Sequence, residues 1–219
     1  AGIAHRRRDW RAAANLFWMD FRNAIVWAGA LDDNGVPVYG NGARARHRGF
    51  EFDGTWQPGP SLGFDATLTL SRNSFTSYRD LSDPERPAIF DGNCVAGYPD
   101  FLASLTARSQ LAGIRLNVNL RRVGRMFIDN TEDNRRDPAA REVVGYVPRI
   151  NPAFTIVNLA GTVSLPALIH TLALTSAHLE VRLNNLFDSR YTAFGYMSDE
   201  PLFIPAAGRN VVTTLRLGM

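Results

Sequence analysis

Four histidines, one cysteine and one glycine-rich hexapeptide are the residues of this chain with the clearest chemical potential. His5, His47, His170 and His178 lie far apart in sequence, and no two sit at the spacing that chelates a metal. Cys94 is the single cysteine, so neither an internal disulfide nor a cysteine zinc cluster can form. The hexapeptide Gly40-Asn-Gly-Ala-Arg-Ala45 fits the dinucleotide fingerprint G-x-G-x-x-A, which needs a buried strand before it and an apolar helix after it. Arg-His-Arg-Gly and an alternating segment follow instead, so the match is accidental. A barrel hydrolase would require a serine and a histidine on neighbouring strands, and the sequence offers no such pair to favour. Catalytic residues, a resident metal and a cofactor are therefore not expected. The most distinctive polar cluster is Asn185-Leu186-Phe187-Asp188 with Tyr191, at the end of an alternating segment.

The elements that must carry these residues alternate at a period of two. Leu179, Val181 and Leu183 are flanked by Glu180, Arg182 and Asn184. Phe64 to Leu70, Ile114 to Leu120, Val157 to Leu165 and Val211 to Met219 repeat the pattern, and Phe50, Phe52 and Trp56 face away from Glu51, Asp53 and Gln57. None of these series has the i, i+3, i+4 recurrence of a helix. Short turns fall at 7–9, 57–61, 110–113 and 166–171, and long polar loops at 31–42, 79–99, 129–151 and 189–208. Short and long connections alternate along the chain, as in an up-and-down antiparallel sheet whose two ends face different surroundings.

The polar face carries Arg115, Arg121, Glu180, Arg182 and Arg216, too much charge for a packed core, while the other face is apolar through its middle. Apolar outside and polar inside is the pattern of a transmembrane β-barrel. No apolar run reaches the roughly 18–20 residues of a spanning helix. Aromatics near predicted strand ends (Trp27, Trp56, Phe75, Tyr78, Phe101, Phe127, Phe154 and Tyr191) are expected to form interfacial girdles. The net charge is +3, carried by arginines that are scattered among Asp and Glu, so a nucleic-acid partner is not expected.

With this pattern in place, the chain resembles the C-terminal part of TonB-dependent outer-membrane receptors over essentially its whole length, 1–219. Asn185-Leu186-Phe187-Asp188 followed by Tyr191 matches the family's penultimate-strand signature, and Gly208-Arg209 its entry into the last strand. Gly49-Phe50-Glu51 matches a mid-barrel element, and Leu16-Phe17 to Asp20 followed by Ile25 resembles the strand before it. These residues are expected to be structural. Met219 stands where such barrels commonly end in an aromatic. The resemblance implies an all-β, antiparallel, up-and-down barrel of about 22 strands, of which about nine are present here, with the plug domain and N-terminal strands absent.

It also implies location in the outer membrane of a Gram-negative bacterium. A scarce small-molecule ligand would be imported with energy from the TonB complex, acting through the plug; a metal chelate such as a ferric siderophore comes first. Loops carry recognition on rigid scaffolds. Arginine with aromatics suits an anionic, ring-bearing ligand, which makes Tyr78, Arg86, Phe90, Tyr98, Arg135, Arg136, Tyr146 and Tyr196 the ligand candidates. A passive porin-like or adhesin barrel and a soluble all-β binding module are the alternatives.

Overall fold

The structure, a computed structural model, describes residues 1–31, 37–80, 85, 87–171, 174–198 and 200–218; side chains are described for these except at 26–31, 37–42, 167 and 168. The strands in chain order are β1 (Gly2–Arg6), β2 (Trp10–Leu31), β3 (Pro37–Gly59), β4 (Leu62–Ser77), β5 (Arg79–Asp80), β6 (Ala88–Ile89), β7 (Phe101–Leu111) and β8 (Ile114–Val123). Then come β9 (Met126–Phe127), β10 (Ile150–Asn151), β11 (Phe154–Ser164), β12 (Ser176–Asn184), β13 (Thr192–Met197), β14 (Pro201–Pro205) and β15 (Asn210–Gly218). Nine of them form one antiparallel sheet in the order β1-β2-β3-β4-β7-β8-β11-β12-β15. Each long strand pairs with its nearest long neighbours in sequence, so the topology is the expected meander. The sheet is open, with β1 and β15 as its two edges.

The registers fix which side chains share a face. Leu159, Gly161 and Val163 of β11 stand opposite Leu183, Val181 and Leu179 of β12, which in turn oppose Val211, Thr213 and Leu215 of β15. One face of the sheet is therefore apolar and unpartnered: Leu16 is 63% exposed, Leu105 46% and Leu215 51%. Nothing among the described residues packs against it. A contiguous apolar face of this extent is untenable in water and stable in lipid. The only buried hydrophobic cluster (Ala43, Ala45, Phe75 and Tyr78, among the described residues) lies on the other face, near the long loops.

The polar face is joined by side-chain rows. Arg11 donates to Thr55 Oγ1 (3.2 Å), Thr55 to Asp65 (3.1 Å), and Arg108 closes the row on Asp65 at 2.8 Å. Asn119 donates to both Ser104 and Thr106. Glu180 is clamped between Arg182 and Arg216, the latter at 3.2 Å. Arg11–Thr55, Thr55–Asp65 and Asn119–Thr106 are directly opposed pairs, while Asp65–Arg108, Asn119–Ser104 and Glu180–Arg216 are diagonal neighbours on adjacent strands. Both lie within the reach by which cross-strand pairs stabilise a sheet.

The connections sort as expected, with two corrections. Ala112 (φ 50°) and Gly113 (φ 79°) make a two-residue turn with both central residues left-handed, the conformation that matches strand twist. The segment 166–171, read above as a turn, is a one-and-a-half-turn helix, α1 (Pro166–Thr171), with proline at its start where the missing N–H costs nothing. The loop read at 31–42 is shorter, because β2 runs to Leu31 and β3 resumes at Pro37. At 22 and 23 residues these two strands span about 70 Å each, far more than a tilted crossing of the bilayer requires. The far ends of both strands therefore extend beyond the lipid-crossing part of the sheet.

The aromatic girdle also differs from expectation. Phe75 and Tyr78 are buried in the cluster beneath the long loops, and Phe154 packs on Tyr191 at 4.3 Å on the polar side. Two of the expected residues do edge the apolar face: Trp56 at the short-turn rim, stacked on Phe64 at 5.5 Å beside Trp10, and Phe101 opposite Leu70 at the long-loop end, where Trp18 joins it. Trp27 lies outside the described side chains. The long strands explain the difference: aromatics at their far ends are already in the loop layer.

Candidate functional site

Two places carry dense side-chain chemistry: the rim corner at 185–209 and the cap formed by the long loops. At the corner, Asn185 and Asp188 both adopt left-handed backbone (φ 51° and 53°), which asparagine and aspartate tolerate better than other L-residues. Asn185 is 3% exposed. Its Nδ2 donates to Ser189 O (2.9 Å) and Ala207 O (3.3 Å), and its Oδ1 accepts from Ser189 N at 2.9 Å. Asp188 Oδ1 accepts from Arg209 N at 2.7 Å. A side chain on Gly208 would place its Cβ 3.0 Å from that same oxygen. The Asn-Leu-Phe-Asp and Gly-Arg elements are therefore two halves of one knot that ends β12 and starts β15. Leu186 N reaches back to Val157 O (2.8 Å), fastening the knot to β11. Phe187, 71% exposed, is its bulky outer surface.

Gly49 serves the wall differently. It pairs with Phe17, and a Cβ there would lie 2.2 Å from Leu70 O and 2.7 Å from Phe17 Cζ, so the ring lies over bare backbone. Glu51, two residues along, accepts from Asn15 Nδ2 at 3.3 Å on the polar face. Phe50 opposes Leu16 and Leu70 on the apolar face.

The cap is built from three loops locked side to side. Asn93 Nδ2 donates to Asn130 O (2.9 Å), Cys94 N to Glu132 Oε2 (2.9 Å) and Ala96 N to Asn130 Oδ1 (3.1 Å). Asn151 Nδ2 donates to Thr192 O at 3.2 Å, tying in the third loop. Three successive left-handed residues, Glu132, Asp133 and Asn134, turn the middle loop so that its carboxylates point at its own backbone and neighbours.

The eight ligand candidates divide within this cap. Tyr78 is buried, packing on Phe75 at 4.8 Å and on Phe90 at 5.2 Å. Arg135 gives its donors to Asn93 Oδ1 (2.8 Å) and Asp91 O (3.2 Å) and pairs with Glu132 at 3.2 Å, while Arg136 also donates to Asp91 O. Tyr146 donates to Asp133 Oδ1 at 2.6 Å. Burial and that carboxylate push the phenol of Tyr146 up to about 12, and burial first, then the charge of Asp80, does the same to Tyr78. Tyr98, 53% exposed, meets His47 edge-on at 5.1 Å, and Tyr196, 42% exposed, lies parallel to Phe194. Arg86 lies outside the described residues.

The polar face holds one arrangement that the sequence did not disclose. Ser164 and His178 stand directly opposite on β11 and β12, with Oγ and Nδ1 3.2 Å apart. The nearest carboxylate along the strand, Glu180, is held by Arg182 and Arg216, so it is not available to orient the imidazole as an acid-base partner. His178, with Arg108, Arg115, Arg182 and Arg216, lines a hollow of about 550 Å³ at the short-turn end, which Ser164 does not line. Among the described residues no cluster of His, Cys, Asp and Glu has the arrangement of a metal site.

A family profile described as the TonB dependent receptor-like β-barrel matches residues 1–186. Among solved structures, the ferric yersiniabactin uptake receptor FyuA from Yersinia pestis superposes with a TM-score of 0.69 at 16% identity, over 97% of this chain and 28% of that one. The siderophore receptor PiuA from Acinetobacter baumannii gives 0.69 at 15% identity, over 98% of this chain and 27% of that one. The ferric citrate transporter FecA, unliganded, gives 0.70 at 15% identity, over 97% and 29%. The chain thus spans less than a third of each of these proteins. No curated protein matches the sequence.

Proposed function

The chain belongs to the TonB-dependent receptor β-barrel family, whose barrels are outer-membrane proteins, and we propose that it forms wall and outer loops of a receptor that imports a metal chelate, a ferric siderophore first. In this reading a plug domain and further strands, outside these 219 residues, complete the barrel, and the TonB complex supplies energy through the plug. The observation that carries the proposal is the interlocked cap, in which three loops are braced against each other at the long-loop end of the sheet's polar face. A passive pore has no need of so rigid a roof, whereas selective capture of a dilute ligand gains from preorganisation.

Within the cap we assign direct ligand contact to Tyr98 and Tyr196, whose rings offer free surface. Arg135, Arg136 and Tyr146 hold the loops in shape, with their polar atoms already engaged. Tyr78 and Phe90 supply the small core on which the first loop rests.

The test is uptake by cells that make the full-length protein as their only route for a panel of radiolabelled ferric chelates. Accumulation of one chelate that stops when the proton gradient is collapsed supports the proposal. Accumulation insensitive to the gradient identifies a passive pore and overturns it. Tyr98→Ala with Tyr196→Ala should raise the half-saturating concentration at least tenfold, and Arg135→Ala should lower the amount of folded protein instead.

A further inference from the structure

The polar face of the sheet changes character on β2 as it nears the long loops. From the short-turn end, the residues of β2 on that face run Arg11, Ala13 and Asn15, then Phe17, Met19 and Phe21. Opposite the last three, β3 presents Gly49, His47 and Ala45, and β4 continues the rows with Ser71, Asn73 and Phe75. These three rows carry no Asp, Glu or Arg. Leu16 to Met19 are apolar on both faces of the strand, and lipid accounts for only one of them.

The first long loop brings Tyr98 onto this patch. The imidazole of His47 meets two rings edge-on, Phe21 at 5.0 Å and Tyr98 at 5.1 Å. Tyr98 is fixed from both sides: Gly97 N donates to Phe127 O (2.9 Å), and Ser71 Oγ donates to Pro99 O (3.3 Å). Met19, Phe21 and Tyr98 nevertheless keep 45, 46 and 53% of their surface open, so the patch is preorganised and still has area to offer. Tyr196 sits in surroundings of the same kind. It shares one face of the β13–β14 hairpin with Phe194, Leu202 and Ile204, all exposed, while Gly195 seats the other face on Ile128 of the middle loop.

An anionic ligand would need free guanidinium groups here, because carboxylates are read by parallel N–H donors. Arg135 and Arg136 spend theirs on Asn93 and Asp91. Pressing a carboxylate against Met19 and Phe21 would strip its water with no donor in return. An uncharged ring loses nothing comparable, and gains both buried area and edge-to-face contact with rings and thioether. We propose that the chelate taken up by this receptor is recognised through uncharged aryl rings, clamped by Phe21, His47 and Tyr98 and flanked by Met19, and that aliphatic polycarboxylate chelates are refused. The inference rests on the receptor reading above and names its substrate class.

The experiment is titration calorimetry of the full-length protein in detergent, with a ferric hydroxyphenyl-oxazoline chelate and ferric citrate as probes. Wild type should bind the aryl chelate at least about tenfold more tightly than ferric citrate, and Phe21→Ala should remove most of that preference. Tyr98→Phe should keep it, since the ring and not the hydroxyl makes the clamp. Saturation-transfer NMR of wild type with the gallium form of the aryl chelate needs no variant: ring protons should take up saturation ahead of aliphatic ones. Equal binding of the two probes, or tighter binding of ferric citrate, overturns the aryl clamp and leaves the receptor reading standing; binding of neither overturns both. Unchanged preference in a folded Phe21→Ala variant, or saturation confined to aliphatic protons, would show the patch covered by the rest of the barrel and also overturn the clamp.

Discussion

Replacing Asn185 by alanine tests whether the corner between β12 and β15 is a structural knot. The substitution removes the donor to Ser189 O and Ala207 O and the acceptor for Ser189 N, at a position only 3% exposed. Two clearly formed hydrogen bonds at about 1 kcal/mol each, with their Ser189 partners left behind, give about 2 kcal/mol. Alanine must also take up the left-handed backbone (φ 51°), which adds about 1 kcal/mol. The expected loss is about 3 kcal/mol for Asn185→Ala and about 2 kcal/mol for Asn185→Gly, which loses the bonds but not the conformation. Equilibrium urea titrations of the full-length protein folded in lipid vesicles, followed by tryptophan fluorescence and gel mobility, measure both. An alanine variant within about 0.5 kcal/mol of wild type, the range of an inconsequential surface change, would refute the reasoning, as would a glycine variant less stable than the alanine one.

Three further outcomes are expected. Gly49→Ala should destabilise the same protein by about 1–3 kcal/mol through overpacking, and adding Phe17→Ala should recover only part of the loss, because the clash with Leu70 O is with backbone; full recovery would show that the ring alone demands glycine. The phenol of Tyr146, pushed up to about 12 by burial and its bond to Asp133, lies above the ordinary tyrosine value near 10. Its stabilising contribution is therefore complete below about pH 10 and lost as the pH rises towards 12; Tyr146→Phe should reduce the loss of stability across that window, with Tyr78 keeping its own share, and an unchanged alkaline slope would contradict the assignment. Burial, then the neighbouring Glu132 carboxylate, pushes the Cys94 thiol up to about 11. The smaller thiolate fraction, partly offset by the greater nucleophilicity of a more basic thiolate, should make thiol reagents at pH 8 modify it about tenfold more slowly than an ordinary cysteine. Labelling at the free-thiol rate would mean that the seam between the loops is open.

The wall of the barrel was legible because its two faces meet different media, and alternation records that residue by residue, as in Leu179, Val181 and Leu183 against Glu180, Arg182 and Asn184. The end of β12 was legible too, since left-handed Asn185 and Asp188 are the residue types that stop a ladder. Its bond to Gly208-Arg209 was not, because the partners are about twenty residues apart and only strand pairing brings them together. Register likewise hid the meeting of Ser164 with His178.

The loop candidates were chosen by side-chain type, and type says nothing about which donors are already taken. Arg135 has the chemistry of an anion binder, yet it spends that chemistry on Asn93 and Asp91. Tyr78 looked like a surface ring; the small residues Ala43 and Ala45 make the recess that buries it. Their spacing was in the sequence, but it acquires meaning only once β3 is known to run so far beyond the membrane.

The central claim is that this sheet stands in lipid with its alternating residues facing membrane and lumen. Spin labels placed singly at 179 to 184 in the full-length protein report it directly, through collision with oxygen, which partitions into lipid, and with a water-soluble nickel chelate. Oxygen accessibility should peak at 179, 181 and 183, and nickel accessibility at 180 and 182, out of phase at a period of two. Labels at 179, 181 and 183 that met the nickel chelate as freely as their neighbours would place β12 in water and contradict the account.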